Sequence, residues 1–358
     1  MKAAIISLGS KSSKWTAEAM RKYFDEVDEL NIKKIEINLT GKEANVLYEG
    51  TPLKKYDCVF AKGSFRYAPL LRAITSMLEG KTYMPIHQSA FTICHDKLLT
   101  QLKLQQQNIP MPKTYLSATT GAARKILENI NYPIIMKFPQ GTQGKGVMFA
   151  DSYASASSIL DALSALNQPF LIQEYIETSS TDIRAFVVGN KVVACMKRRA
   201  NGKEKRANIH AGGVGENFKL DSYGEKIAIN AAKAMGTEIC GVDLLESVKG
   251  LVVIEANLSP GLQGITNTTN IDVAEKIAKY LFTEASKRKE ETKSNGTTKI
   301  MDDLGISTSK QIISTLDYRG ARILLPEIIS KIAGFDENED VEITANEQSV
   351  KIKKLNIK

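Results

Sequence analysis

Two carboxylates and an amide are spaced so that a single hairpin would bring them together. Gly241–Val242–Asp243–Leu244–Leu245–Glu246 and Leu251–Val252–Val253–Ile254–Glu255–Ala256–Asn257 are apolar-rich runs on either side of a turn at Ser247–Gly250. That pattern predicts a β-hairpin. Glu255 and Asn257 are two residues apart and so share one strand face. A hairpin centred on Lys249 sets Asp243 opposite Glu255, each six residues from the centre. Asp243, Glu255 and Asn257 then form an all-oxygen donor set. It suits a hard divalent cation such as Mg²⁺, which keeps waters and holds substrate phosphates. The plainer reading is two solvated acids on a hairpin edge, and the cation reading requires a phosphate-binding half elsewhere in the chain.

The segment 132–146 supplies such a half. Tyr132–Pro133–Ile134–Ile135–Met136–Lys137–Phe138 is a short apolar strand carrying one lysine. A lysine buried in a strand is costly unless it meets an anion. Pro139–Gln140–Gly141–Thr142–Gln143–Gly144–Lys145–Gly146 follows directly. Its glycines suit a loop whose backbone N–H groups close over phosphates. The spacing fits neither a Walker A loop nor a dinucleotide-binding fingerprint. Further on, Lys197–Arg198–Arg199–Ala200–Asn201–Gly202–Lys203–Glu204–Lys205–Arg206 is densely basic. A solvated loop accounts for Lys203 and Lys205. Arg198, Arg199 and Arg206 carry planar forks that match carboxylate or phosphate. No Ser–His–Asp or Cys–His arrangement looks organised as an enzyme nucleophile.

Elements of the expected kinds surround these groups. Residues 1–92 read as a small α/β domain: a strand at Ala3–Leu8, a helix over about Trp15–Phe24, and strands at Lys34–Asn38 and Cys58–Ala61 in a mostly parallel sheet. Lys62–Gly63–Ser64 follows the last strand, where open α/β sheets bind ligands, although an ordinary turn fits equally. A helix at Lys97–Gln107 stops before Pro110 and Pro112, and Pro169–Ile176 reads as a strand. Ala185–Val188 and Lys191–Met196 form a hairpin about Gly189–Asn190, and a helix at Tyr223–Met235 leads into the carboxylate hairpin. The polar stretch 284–311 reads as a linker. After it come a strand, Pro326 at a helix N1 position, a helix at Glu327–Ala333 and strands at Asp340–Thr344 and Ser349–Lys353.

Composition narrows the classes. The 358 residues suffice for more than one domain, and 43% hydrophobic with 25% charged residues is ordinary for a soluble globular protein. No apolar run approaches the roughly 18–20 residues that span a bilayer, so no membrane partner is expected. The apolar start at Ala3–Leu8 is too short for a signal peptide. Four scattered cysteines fit a reducing cytoplasm. A net charge of +8 suits nucleic acid, but equally acidic or phosphorylated small substrates.

Taken in order, residues 1–283 resemble the RimK-like branch of the ATP-grasp ligases, of the α-L-glutamate ligase type. The matching segments are Asp96–Lys97–Leu98, Met136–Lys137 with Gly141–Thr142–Gln143–Gly144, Gln173–Glu174–Tyr175–Ile176, Asp182–Ile183–Arg184, Arg198–Arg199–Ala200, Arg206–Ala207–Asn208, Gly241–Val242–Asp243, and Glu255–Ala256–Asn257 with Ser259–Pro260–Gly261. The resemblance implies an α/β and α+β protein, with a pre-ATP-grasp α/β domain at 1–92 and a two-lobed ATP-grasp catalytic domain at 93–283. It implies ATP held by Lys97, Lys137, Gln173, Glu174, Tyr175, Ile176, Asp182, Arg206, Ala207 and Asn208. Among these, Lys137, Arg206 and Asn208 would act on the transferring phosphate. Asp243, Glu255 and Asn257 would hold two Mg²⁺ or Mn²⁺ ions. Arg184, Arg198, Arg199 and Ser259 would face the substrates, with Arg198 and Arg199 choosing an acidic acceptor.

The implied reaction is ATP-dependent ligation of an amino acid, L-glutamate foremost, to an acidic protein or cofactor acceptor through an acyl phosphate. Lys145 and the Ala61–Ser64 segment depart from the family's pattern, which leaves the acceptor open. Residues 312–358 resemble the AbrB-like swapped-hairpin fold, which implies a homo-oligomer. Relatives of that fold bind DNA. The acidic run Asp336–Asp340 argues against nucleic acid here, and the competing reading is a nucleotide-sensing DNA-binding regulator.

Overall fold

The structure, a computed structural model, describes every residue except 41–43, 118, 140–145, 166–168, 201–213, 304–314, 316, 321, 337–338, 348 and 356–358. At 293–303, 328 and 332 it describes the backbone alone. The described chain forms two compact units, Met1–Glu290 and Glu291–Lys358.

The first unit opens with β1 (Lys2–Ser7), α1 (Lys11–Met20), β2 (Glu26–Asn31), β3 (Ile35–Asn38), β4 (Asn45–Tyr48), β5 (Thr51–Pro52) and β6 (Cys58–Ala61). A parallel sheet in the order β2–β1–β6 lies beside an antiparallel sheet β3–β4–β5. Two expectations are corrected here. The helix starts at Lys11, where the Ser10 hydroxyl accepts from the Ser13 amide at 3.2 Å, and ends at Met20 rather than Phe24. The second parallel strand is β2, whereas the expected strand near Lys34–Asn38 belongs to the other sheet. The Glu–Val–Asp–Glu–Leu–Asn sequence of β2 hides a strand behind charge. Lys54 offsets part of that charge by pairing with Glu26 and Asp28 at 3.0 and 2.9 Å.

Next come α2 (Ala68–Leu78), α3 (Ala90–Ile93), α4 (Lys97–Gln106), β7 (Thr114–Tyr115), α5 (Thr120–Asn129), β8 (Ile134–Lys137), β9 (Val147–Ala150), α6 (Tyr153–Ala165) and β10 (Leu171–Glu174). Strands β7–β10–β8–β9 form one antiparallel sheet. Ile134, Met136, Ala150 and Ile172 on one face pack with Ala123, Leu127, Ala156 and Leu160 of α5 and α6. By alternation, Lys137 and Gln173 fall on the opposite face.

The third layer holds β11 (Thr181–Val188), β12 (Lys191–Arg199), β13 (Val214–Asn217), α7 (Ser222–Met235), β14 (Ile239–Ser247) and β15 (Gly250–Asn257), with α8 (Gln263–Thr269) and α9 (Val273–Asp303) following. The strand order is β13–β12–β11–β14–β15, all antiparallel. One face, with Ile183, Ala185, Cys195, Val242 and Leu244, packs on α7. On the other, Phe186, Val188, Ala194 and Met196 join a core that runs back to β1, β6 and α9. Residues 1–92 and 93–283 thus share one core within one compact unit. The stretch expected as a linker is helical as far as Asp303, and its remainder lies outside the described residues.

The second unit contains the hairpin β16 (Asp317–Arg319) and β17 (Arg322–Leu324), then α10 (Glu327–Ala333) and the hairpin β18 (Val341–Asn346) and β19 (Ser349–Lys354). Ile323, Ile343 and Val350 are exposed in it.

Candidate active site

The carboxylate hairpin forms, but its register has two parts. Near the turn Ser247 pairs Gly250 and Leu244 pairs Val253; beyond it Asp243 pairs Glu255 and Gly241 pairs Asn257. The shift lies between Asp243 and Leu244, so Ile254 is an extra residue, a β-bulge. The turn is therefore two residues long, Val248–Lys249, rather than centred on Lys249. In an unbulged hairpin of that length Glu255 would stand opposite Val242 and Asn257 opposite Cys240. Both of those face the α7 core and are fully buried. The bulge turns both side chains to the face of Asp243.

On that face the acids are already engaged. Arg184 donates Nε and Nη2 to the two oxygens of Asp243 at 2.7 and 2.6 Å. Arg198 grips Asp182 in the same forked way at 2.5 and 2.7 Å, and its Nη2 also lies 3.1 Å from Asp243 Oδ2. Strand register explains the grouping: Asp182 stands opposite Arg198, and Arg184 opposite Asp243. The Arg198 and Asp243 side chains are only 4 and 5% exposed. Burial opposes ionisation of Asp243, yet Arg184 and Arg198 together outweigh it and hold the carboxyl well below the usual range. Burial pushes Asp182 the other way, up to about 6, with Arg198 offsetting only part. The Asn257 amide donates to Glu255 Oε1 at 3.0 Å and to Asp243 Oδ2 at 3.4 Å.

The second sheet supplies cations. Lys137, 5% exposed, donates to Gln173 Oε1 at 2.8 Å, and burial pushes its ammonium down to about 8 against the opposing charge of Glu255. Lys97 is the first residue of α4, whose N-cap Asp96 accepts from the Leu98 and Leu99 amides. Burial also lowers Lys97, and Glu255 again opposes. Glu255 is thus the carboxylate whose field reaches both lysines.

Other expected residues stand as follows. Glu174 accepts from the Lys113 amide at 2.9 Å, and Tyr175 packs edge-on against Phe149 with centroids 5.2 Å apart. Ile176 is half-buried and Ser259 exposed. Arg199 is exposed, on the face of β12 opposite Arg198. Strand alternation sets Arg198 and Arg199, both expected at the acceptor, on opposite faces, and the Arg198 fork engages Asp182 and Asp243. Arg206, Ala207, Asn208 and the 141–145 loop, with Lys145, lie outside the described residues.

Two features went unnoticed in the sequence. Gln101 on α4 and Thr114 on β7 join Gln173 in a part-buried chain of polar side chains. A cavity of about 670 Å³ is lined by Phe65, Arg66, Arg72, Phe91, His95 and Asp96 among others. Arg72 donates to Thr92 Oγ1 at 3.0 Å, and the buried Nε2 of His95 meets no partner among the described residues. Neither arginine pairs with an acid among the described residues, and Asp96 is spent on its helix cap.

Among the described residues no three His, Cys, Asp or Glu side chains gather as a metal site. The donor set is two carboxylates and an amide, and it fits a hard cation on one observation: the Asn257 N–H₂ group, the positive end of its dipole, donates to both Asp243 and Glu255. Rotating that amide presents its oxygen instead. Glu255 would be the principal ligand, since Arg184 and Arg198 hold both oxygens of Asp243.

The strand layers and this polar face agree with the family to which the sequence belongs, the ATP-grasp ligases, a class of enzymes that form C–N bonds using ATP. Residues 94–281 match the RimK-like ATP-grasp domain, and the chain belongs to that family. It is 36% identical over 296 residues to a probable alpha-L-glutamate ligase of Picosynechococcus sp., covering 80% of this chain and 97% of that one. With a probable alpha-L-glutamate ligase of Saccharophagus degradans it shares 38% over 263 residues, 73% and 87% of the two chains. Among solved structures the fold is similar to the ATP-grasp ligase PsnB complexed with minimal precursor, at TM-score 0.63 and 16% identity, covering 79% and 98%. It is also similar to the macrocyclase MdnC bound with precursor peptide MdnA from Microcystis aeruginosa, at TM-score 0.60 and 15% identity, covering 79% and 100%. Among the described residues no helix is long and apolar enough to cross a membrane.

Proposed function

We propose that this ligase adds an amino acid, L-glutamate foremost, to an acidic acceptor through an acyl phosphate. The observation that carries the reading is Glu255, turned by the Ile254 bulge beside Asp243 and Asn257 and facing the charges of Lys97 and Lys137. An acceptor carboxylate oxygen attacks the γ-phosphorus of ATP and ADP leaves. The amine nitrogen of the incoming amino acid then attacks the acyl carbon, loses its proton, and phosphate leaves. Lys97 and Lys137 bind and orient the phosphates, joined in this reading by Arg206 and Asn208. Gln173, Glu174, Tyr175 and Ile176 lie along the adenine side and Asp182 towards the ribose. Two Mg²⁺ or Mn²⁺ ions, held by Glu255, Asn257 and Asp243, would supply charge neutralisation between nucleotide and carboxylate. Arg184 and Arg198 hold Asp243 and Asp182 ionised and oriented rather than touching acceptor.

The acceptor would occupy the cavity of Arg66, Arg72 and His95, close to Lys97 in the chain. Two guanidiniums without acid partners among the described residues favour a carboxylate-rich ligand, and the volume suits one or two of its residues. In domain terms 1–92 would carry the acceptor side and 93–283 the nucleotide, with 312–358 serving self-association.

Cell extract incubated with enzyme, ATP and labelled glutamate should yield, by mass spectrometry, an acidic species heavier by glutamyl residues, with ADP formed only when Mg²⁺ or Mn²⁺ is present. Metal-independent ADP formation, or label found only on a non-acidic species, would contradict the reading. The acceptor assignment has its own check. Arg72→Ala should raise the KM for that acceptor roughly tenfold, by loss of a charge-assisted bond, and leave the KM for ATP unchanged. An ATP defect with normal acceptor use would move the acceptor elsewhere.

A further inference from the structure

The bulge at Ile254 does not hold itself. Strand β15 is the edge of its sheet, and a bulge leaves backbone groups without ladder partners. Two groups from outside the sheet meet it there. The Pro110 carbonyl accepts from the Val253 amide at 2.8 Å, and Gln101 Nε2 donates to the Ile254 carbonyl at 3.0 Å. Gln101 is 2% exposed and sits four residues after Lys97, on the same face of α4.

Its other end leads to the second sheet. Thr114 Oγ1 donates towards Gln101 Oε1 at 3.4 Å, sharing its proton with the Pro112 carbonyl at 2.9 Å. It accepts from Gln173 Nε2 at 2.7 Å, and Gln173 Oε1 accepts from Lys137 Nζ at 2.8 Å. Register places Thr114 directly opposite Gln173. The donors run from Lys137 through Gln173, Thr114 and Gln101 to the backbone of the bulge, with the Thr114 proton divided between Gln101 and the nearer Pro112 carbonyl. A chain with one polarity reinforces each of its bonds.

We propose that Gln101 and Thr114 are positioning residues that tie the Ile254 bulge to the Lys137–Gln173 pair and so hold Glu255 in register with the phosphate-binding lysine. Neither side chain needs to touch nucleotide or metal. The reason lies in the geometry of the hairpin: one residue of slippage at Ile254 sends Glu255 and Asn257 to the α7 side. The inference rests on Glu255 being a metal ligand.

The test compares Thr114→Val with Thr114→Ser. Valine keeps the shape and loses the hydroxyl; serine keeps the hydroxyl and loses the methyl. Binding of Mn²⁺ in the presence of ADP, followed by the electron paramagnetic resonance signal of free Mn²⁺, reads the site without turnover. Thr114→Val and Gln101→Met should each weaken Mn²⁺ binding roughly three- to tenfold, as loss of a buried hydrogen bond implies, while Thr114→Ser stays near wild type. The double variant Gln101→Met/Thr114→Val should be no weaker than the worse single, because both cut one chain. Wild-type affinity in Thr114→Val with weakened binding in Thr114→Ser would show a packing role and overturn the proposal. Failure of wild-type protein with ADP to bind Mn²⁺ would instead overturn the metal reading on which it rests.

Discussion

Arg198 shows how one side chain can be chemically apt and still serve another purpose than its sequence suggests. A fork in a basic run invites an external carboxylate, yet here it meets two internal ones, Asp182 and Asp243. Removing it would leave both acids buried without their shared cation, a loss on the order of 3–5 kcal/mol. Arg198→Ala should therefore lower the thermal unfolding midpoint by many degrees, measured by calorimetry. A midpoint within a degree or two of wild type would show that the pair is not structural. Lys137 carries the opposite signature. Burial disfavours its charge and pushes the ammonium down to about 8. The folded value lies below the ordinary lysine value, so the unfolded chain binds the extra proton between about 8 and 10.5, and the penalty of burying Lys137 is relieved as pH rises through that window. Nucleotide binding, which needs the charged form, should weaken above pH 8. In Lys137→Met it should be weak at every pH, as a titration with ADP would show. Strong ADP binding by that variant would remove Lys137 from the phosphate site.

At the scale of elements, the site depends on strands that alternate cleanly and on one that does not. The Gly241–Glu246 and Leu251–Asn257 runs announced a hairpin, and the polar residues inside them stood out. The bulge that brings Glu255 opposite Asp243 left no such mark, because Val253–Ile254–Glu255 reads equally well in either register. A hairpin centred on Lys249 sets Asp243 opposite Glu255, and the two residues do pair, but through a two-residue turn plus a bulge. Gln101 and Thr114 were illegible for another reason: a polar residue on a helix or short strand looks solvated until its partners are known. Strand β2 was hidden by its own charges. Gly241 belongs to this scale too. An added Cβ would stand 3.2 Å from Pro260 Cβ and 3.7 Å from Arg184 Nε. Gly241→Ala should cost roughly 1–3 kcal/mol as the Pro260 turn is pushed off the strand. Unfolding in urea at unchanged slope would measure it, and an unchanged midpoint would mean that the turn yields freely.

At the scale of the whole molecule, Met1–Glu290 carries the entire described site. Its cores bind the first sheet, the carboxylate sheet and α9 into one body. Length and composition anticipate two or more domains, and the chain forms two compact units, Met1–Glu290 and Glu291–Lys358. The polar sequence after Thr283 suits a helix such as α9, whose early turns bury Ile277, Ala278, Leu281 and Ala285. The tail unit is small and exposes apolar strand residues, the basis of the self-association proposed for it. A chain ending at Asp303 should therefore bind Mn²⁺ and ADP as the full chain does. In light scattering after size-exclusion it should show a lower oligomeric state than the full chain. An unchanged oligomeric state would place the self-association surface in Met1–Glu290.

In the proposed reaction Glu255, brought beside Asp243 by the Ile254 bulge, holds the metal ions that serve phosphoryl transfer. Glu255→Gln is nearly isosteric and removes one negative charge, so the fold should persist while the site loses its principal anionic ligand. The decisive measurement is metal-dependent ADP formation by this variant with ATP, glutamate and the acceptor, alongside its thermal unfolding midpoint. The midpoint should be unchanged and turnover lowered by at least about a thousandfold, the scale reached when a group that stabilises transition-state charge is lost. ADP production near the wild-type rate, with wild-type dependence on Mg²⁺, would contradict it.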